Sequence, residues 1–203
     1  MLMLKKVAIT GGLSCGKSTV CRQFEELGAY VVNADKIVHR LLSPNTLLGS
    51  KIIALLGKEI VVNGEIDRGK VAEKVFNDQA LLQSLETLIH PAVLSEIEKQ
   101  YQQISKQGKS PLFIAEIPLL FEVNGEKNFD KTIAVWAPVE LCRQRFCSST
   151  GYSPEEFDRR MSFQLLADEK KRRADYSIDN SGNEKHLKNE TIKLFEVLTK
   201  NPS

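Results

Sequence analysis

Residues 11–18 read GGLSCGKS, directly after the apolar run VAIT and directly before a helix-prone segment. Gly11, Gly16, Lys17 and Ser18 hold the fixed places of the pattern G-x-x-x-x-G-K-[ST]. A short buried strand feeding a glycine turn and then a helix is the context that this pattern demands. The spacing has a chemical reason. Glycines let successive backbone N–H groups turn inward on an anion, and the helix N-terminus adds partial positive charge. Lys17 reaches the β- and γ-phosphates of a bound triphosphate, and the Ser18 hydroxyl ligates Mg²⁺. The plain alternative is a flexible glycine turn with a surface lysine. Thr19 contacts an α-phosphate or is ordinary helix surface.

The rest of the chain repeats the alternation. Apolar, β-prone runs at Lys5–Thr10, Tyr30–Val32, 112–117, Thr132–Trp136 and Tyr176–Ile178 predict five strands. Helical patterns lie between them, at Ser18–Leu27, Val139–Ser148, Pro154–Leu166 and Glu184–Leu198. Strands separated by helices imply a parallel sheet covered on both faces. About 80 residues separate the second and third strands, far more than one crossover needs. They hold helical patterns broken by Gly57 and by NGE at 63–65. Pro91 is placed in the first turn of the helix AVLSEIEKQYQQISK. The stretch is expected to form a lobe of its own.

Charge narrows the classes of partner. Lys and Arg number 28 against 26 Asp and Glu, a net +2 over 203 residues, which asks for neither nucleic acid nor a membrane surface. No apolar run approaches the ~20 residues of a membrane span. Cys15, Cys21, Cys142 and Cys147 form no CxxC pair. With no signal-peptide pattern at the start, the expectation is a cytoplasmic protein with reduced thiols.

A triphosphate site does not name a reaction. The guanine-reading element N-K-x-D is absent from the sequence. The helical insert is a candidate seat for a phosphate acceptor. Arg143, Arg145, Arg159, Arg160, Lys170, Lys171, Arg172 and Arg173 are either groups that close over phosphates or solvated helix faces. Asp35 lies just past the second strand, at the carboxyl edge where open α/β sheets bind ligands. It is a candidate base facing the γ-phosphate, or a cap on the helix behind it. Asp67 is a candidate cap for the helix beginning at Arg68. His90 is a core residue or a contact to acceptor phosphate.

Taken together, TGGLSCGKST, VVNADKIVHRLL, GEIDR with VF at 75–76, LETLIHP, PLLFE at 118–122, Asp130, RRMSFQ at 159–164, Lys170 and ADYSIDNSG at 174–182 resemble the dephospho-CoA kinases over nearly the whole chain. The resemblance implies an α/β P-loop NTPase fold: a five-stranded parallel sheet with flanking helices, a helical acceptor-binding insert and a lid. It divides one kinase domain, 1–203, into a nucleotide-binding core at 1–35 and 110–203, an insert at 36–109 and a lid at about 143–173. It implies transfer of the γ-phosphate of ATP to the ribose 3′-hydroxyl of dephospho-CoA, with Mg²⁺. Gly11, Gly12, Leu13, Ser14, Cys15, Gly16, Lys17, Ser18 and Thr19 would line the triphosphate, with Ser18 on the metal. Asp35 would take or orient the hydroxyl proton. Arg68, His90 and Leu119 look acceptor-side. Arg145 looks like a lid residue, and Arg160 with Gln164 would share one helix face of that lid. Asn180 looks adjacent to adenine. A monomer is expected, with self-association left open, and with neither nucleic-acid nor membrane partners. The rivals are a P-loop nucleoside or nucleotide kinase and a non-catalytic ATP-binding protein.

The chain departs from the pattern at a few places. The family turn reads G-G-I-G-S-G-K-S, whereas Ser14 and Cys15 stand here. Ser14 restricts a backbone angle that glycine would permit. Cys15, near Lys17 and a helix N-terminus, is expected to have a lowered thiol pKa, and its alkylation is expected to block ATP. Glu116 stands where aspartate is usual. Ser149 stands where a second arginine is usual, so that contact is missing or is supplied by Arg143 or Arg159.

Overall fold

In a computed structural model, which describes residues 4–76 and 78–200, Lys5–Gly11 forms β1. Val7, Ala8 and Ile9 have no solvent exposure, as expected of a strand covered on both faces. The other strands of its sheet are β2 (Tyr30–Asn33), β5 (Leu112–Glu116), β6 (Lys131–Trp136) and β7 (Tyr176–Asp179). Among the described residues they form a five-stranded sheet in the order β2-β5-β1-β6-β7, and every pairing is parallel. The register sets Glu116 at the end of β5 beside both Ile9 of β1 and Asn33 of β2.

Helices cover the sheet. α1 (Lys17–Glu26) and α9 (Glu184–Thr199) pack through Phe24 and Phe195, with ring centroids 6.3 Å apart. Beside them, the Thr191 hydroxyl donates to Gln23 Oε1 at 2.8 Å. α6 (Val139–Thr150), α7 (Pro154–Met161) and α8 (Ala167–Arg173) follow β6. The core joins strand residues Val7, Ile9, Ile114, Ile133 and Val135 to Val20, Phe24, Phe146 and Phe157 of the helices. Lys171 of α8 stacks over Trp136 at 4.2 Å.

The chain divides into two units, one from residues up to Asn33 and from Tyr101 onward, the other Ala34–Gln100. The second unit contains α2 (Ala34–Leu41), α3 (Leu47–Leu56), a 3₁₀ turn at Lys58–Ile60, β3 (Val61–Val62), β4 (Glu65–Ile66) and α4 (Arg68–Phe76). It also takes in most of α5 (Gln79–Gln107). It has its own apolar core around Leu48, Ile52, Leu56, Ile60 and Leu85. Thr46 caps α3 by accepting from Gly49 N at 2.9 Å. Asp67 caps α4, accepting from Lys70 N at 2.9 Å.

Two local expectations need correction. NGE at 63–65 is not a plain break. Asn63 (φ 50°) and Gly64 (φ 83°) turn a β3–β4 hairpin, since both central positions of such a turn need positive φ. Nor does Pro91 open a helix. It sits inside the 29-residue α5, where its ring forgoes the hydrogen bond to the carbonyl one turn earlier.

No helix of the described residues is long and apolar enough to cross a membrane.

Candidate active site

The glycine turn opens where β1 ends. Gly11 adopts φ 150°, and a Cβ there would stand 2.1 Å from the Val135 carbonyl oxygen. Only a residue without a side chain lets the turn lie this close to β6. Gly16 adopts φ 97° and starts α1 without a side-chain cap. The uncapped N–H groups of the first helical turn suit an anion, and no acidic residue occupies that turn. Ser14 lies at φ 54°, where an L-residue pays about 1 kcal/mol or more.

Lys17 folds back on this turn. Its Nζ donates to Gly12 O at 2.7 Å and to Gly11 O at 3.2 Å. Next to it, Ser18 Oγ donates to Glu116 Oε1 at 2.7 Å. Asn33 Nδ2 donates to the second carboxylate oxygen at 2.6 Å. Glu116 is buried at 5% exposure, and both its oxygens are held. A hydroxyl and a carboxylate at the edge of a phosphate turn make a hard oxygen set, the kind that Mg²⁺ prefers.

Arg145 and Asn180 come together on the same side. Arg145 Nη2 donates to Asn180 O at 3.0 Å, and Asn180 Nδ2 donates to Cys15 O at 2.9 Å. Arg145 Nη1 is buried and has no hydrogen-bond partner among the described residues. Such an orphaned donor is costly unless a ligand meets it. Thr19 is half-buried on α1, while Leu119 is 37% exposed in the loop after β5. Arg160 stacks over Tyr152 at 5.0 Å and Phe146 at 5.6 Å and donates to Glu156 at 2.7 Å. With Arg159 and Arg160 beside it, the Glu156 carboxyl is held down to about 2.

The second unit carries Asp35, Arg68 and His90. Asp35 is exposed in the first turn of α2, Arg68 is the exposed first residue of α4, and His90 is half-buried within α5.

A family model described as CoaE: Dephospho-CoA kinase matches residues 5–186. The chain belongs to the dephospho-CoA kinase family. A relative named "Dephospho-CoA kinase" from Protochlamydia amoebophila (strain UWE25) is 50% identical, with 98% of each chain covered. "Crystal structure of TT1252 from Thermus thermophilus" is similar with TM-score 0.85 and 30% identity over 100% of both chains. "Dephospho-CoA kinase from Campylobacter jejuni" is similar with TM-score 0.72 and 31% identity over 98% of both. The resemblance read from the motifs and the P-loop kinase fold both hold.

Within this member of the dephospho-CoA kinase family two sequence expectations fail. Cys15 is 1% exposed and packs into the core. Burial pushes its thiol up, outweighing the opposing pull of Lys17, so the lowering expected from its sequence neighbours does not hold. Arg160 and Gln164 do not share a helix face, because α7 stops at Met161 and Gln164 lies in the turn beyond it. Arg143 is tied to Glu140 and Asp158, and Arg159 to Glu156.

Two partnerships escaped the sequence reading. Asn33 holds Glu116, a pairing foreshadowed only by both residues ending neighbouring strands. Lys170 belongs to the family resemblance, but its neighbours suggest a solvated or phosphate-facing cation; it is fully buried against Glu122 of PLLFE.

Proposed function

We propose that the protein transfers the γ-phosphate of ATP to the ribose 3′-hydroxyl of dephospho-CoA, giving coenzyme A and ADP. The observation that carries this is the phosphate turn, with Lys17 laid on it and Ser18 held by Glu116, within a chain matched by the family model over residues 5–186. Phosphoryl transfer needs little covalent help from the protein. It needs positioning and charge neutralisation.

The backbone from Gly11 to Thr19 wraps the triphosphate. Lys17 leaves its carbonyls for the β- and γ-oxygens, trading two neutral acceptors for charged ones. Ser18 and Glu116 are the residues to hold Mg²⁺, which supplies charge neutralisation between the phosphates when bound. Asp35 accepts the proton of the attacking hydroxyl or orients it. Arg68, His90 and Leu119 engage the acceptor, with residues 36–109 as its seat. Residues of about 143–173 close as a lid and keep water from the γ-phosphate. Arg145 and Arg160 are its phosphate-side cations, and Asn180 borders the adenine. We place this chemistry in the cytoplasm, in a monomer that needs neither nucleic acid nor a membrane.

The test is an ATP-dependent assay with dephospho-CoA beside a panel of nucleosides and nucleotides. Formation of coenzyme A in preference to any other product is expected. Preferred phosphorylation of a nucleoside, or ATP binding with no transfer to any acceptor, overturns the assignment.

A further inference from the structure

A buried lysine ammonium is an expensive feature, and Lys170 has no solvent exposure at all. Its Nζ lies 2.8 Å from Glu122 Oε1 and donates to Pro118 O at 2.8 Å. Each partner reaches a different part of the chain. Pro118 O also accepts from the Thr10 hydroxyl at 3.0 Å, one residue before the glycine turn begins. Glu122 Oε1 also accepts from the amide of Leu165 at 2.9 Å, in the segment between α7 and α8. Glu122 Oε2 and Gln164 Oε1 are buried without hydrogen-bond partners among the described residues. The contacts around Lys170 therefore join three segments: the strand end that feeds the phosphate turn, the PLLFE loop, and the return limb from α7.

Stability alone is a poor reason to keep such a pair. Replacing a buried ion pair by apolar groups of similar volume is often neutral or stabilising, whereas removing one partner is costly. A pair kept at that price, with one ammonium bridging two loops, suits a need for registry. The surrounding basic residues do not share this role. Arg172 pairs with Glu169 and Arg173 with Glu126, while Lys171 stacks on Trp136.

We propose that Lys170 and Glu122 are positioning residues that transmit occupancy of the phosphate turn to the 162–166 segment, through Pro118 and Thr10 on one side and Leu165 on the other. The inference rests on the lid reading of residues 143–173, but not on the identity of the acceptor. With the pair intact, nucleotide in the turn orders the return limb. Without it, nucleotide still binds but the limb no longer responds.

The test uses the whole chain with the variants Lys170→Met/Glu122→Gln and Glu122→Gln. The probes are a non-hydrolysable ATP analogue with Mg²⁺ and backbone hydrogen exchange over residues 154–170. In the parent, the analogue is expected to slow exchange there. In the double variant its dissociation constant should stay near the parental value, while that protection is lost and turnover drops about 10- to 100-fold, the scale of a small misplacement. Protection that persists in the double variant overturns the proposal. So does a loss of analogue binding in proportion to turnover, or a parent whose limb shows no nucleotide protection. If the double variant shows no cooperative melt, Glu122→Gln decides by the same readouts. A parent that shows the protection yet makes no coenzyme A separates failure of the acceptor assignment from failure of this one.

Discussion

Asn180 occupies the space that a side chain on Gly16 would need: a Cβ built there lies 2.0 Å from Asn180 Nδ2, the atom that holds Cys15 O at 2.9 Å. The loop after β7 thus props the glycine turn from behind, and the first prediction follows. Gly16→Ala should weaken ATP binding at least tenfold and lower the melting temperature, because it displaces Asn180 and also forces φ 97° on an L-residue. Gly16→Ala/Asn180→Ala removes the clash but not the strained φ, so titration of ATP should show only partial recovery. Parental affinity in Gly16→Ala alone would contradict the geometry.

Asp35→Asn keeps the shape of the first turn of α2 and removes the charge. If Asp35 handles the acceptor proton, turnover should fall about 10²- to 10⁴-fold, with ATP affinity within a few-fold of the parent. Steady-state transfer and direct ATP titration measure the two. Parental turnover would remove Asp35 from the chemistry.

Glu116→Gln leaves Ser18 and Asn33 a neutral partner in place of a carboxylate. Metal affinity in the nucleotide complex should drop about 10- to 100-fold, the usual cost of losing a supporting group. Mn²⁺ titration followed by electron paramagnetic resonance, with ADP present, reads this without relying on turnover. Unchanged affinity would mean that the carboxylate only braces the strand ends.

The cysteines predict a pH dependence. Burial pushes the Cys142 thiol up from 9.0 to about 11, and it raises Cys15 and Cys21 as well. A thiol raised on folding contributes its full stability below its unfolded pKa and loses it as pH climbs through the folded value. Denaturant midpoints should therefore decline between pH 9 and 11, and less steeply in Cys142→Ala. At neutral pH, half-buried Cys147 should be alkylated before Cys15. Rapid modification of Cys15 in the native state would restore the reactive-thiol expectation.

How far the sequence carries depends on how local each signal is. The strand, turn and helix at 5–26 are contiguous, and the five strands announce themselves by short apolar runs. Long-range partners are less legible. Lys170 stands in the run EKKRR, which suggests a solvated or phosphate-facing cation, because nothing beside it reveals Glu122 beyond β5. The thiol of Cys15 is misjudged for a related reason. Its neighbours in sequence are a lysine and a helix N-terminus, but its side chain packs into the core, and burial decides its acidity. Gln164 keeps a helical spacing from Arg160, yet the helix ends between them.

Lys171 over Trp136 has a practical meaning. The sequence contains one tryptophan, at the end of β6, and a cation on α8 covers its indole. Any shift of α8 alters the field and the solvent at that single chromophore. The protein thus carries an intrinsic fluorophore for this helix, and its emission can follow nucleotide addition in a stopped-flow cell with no dye attached.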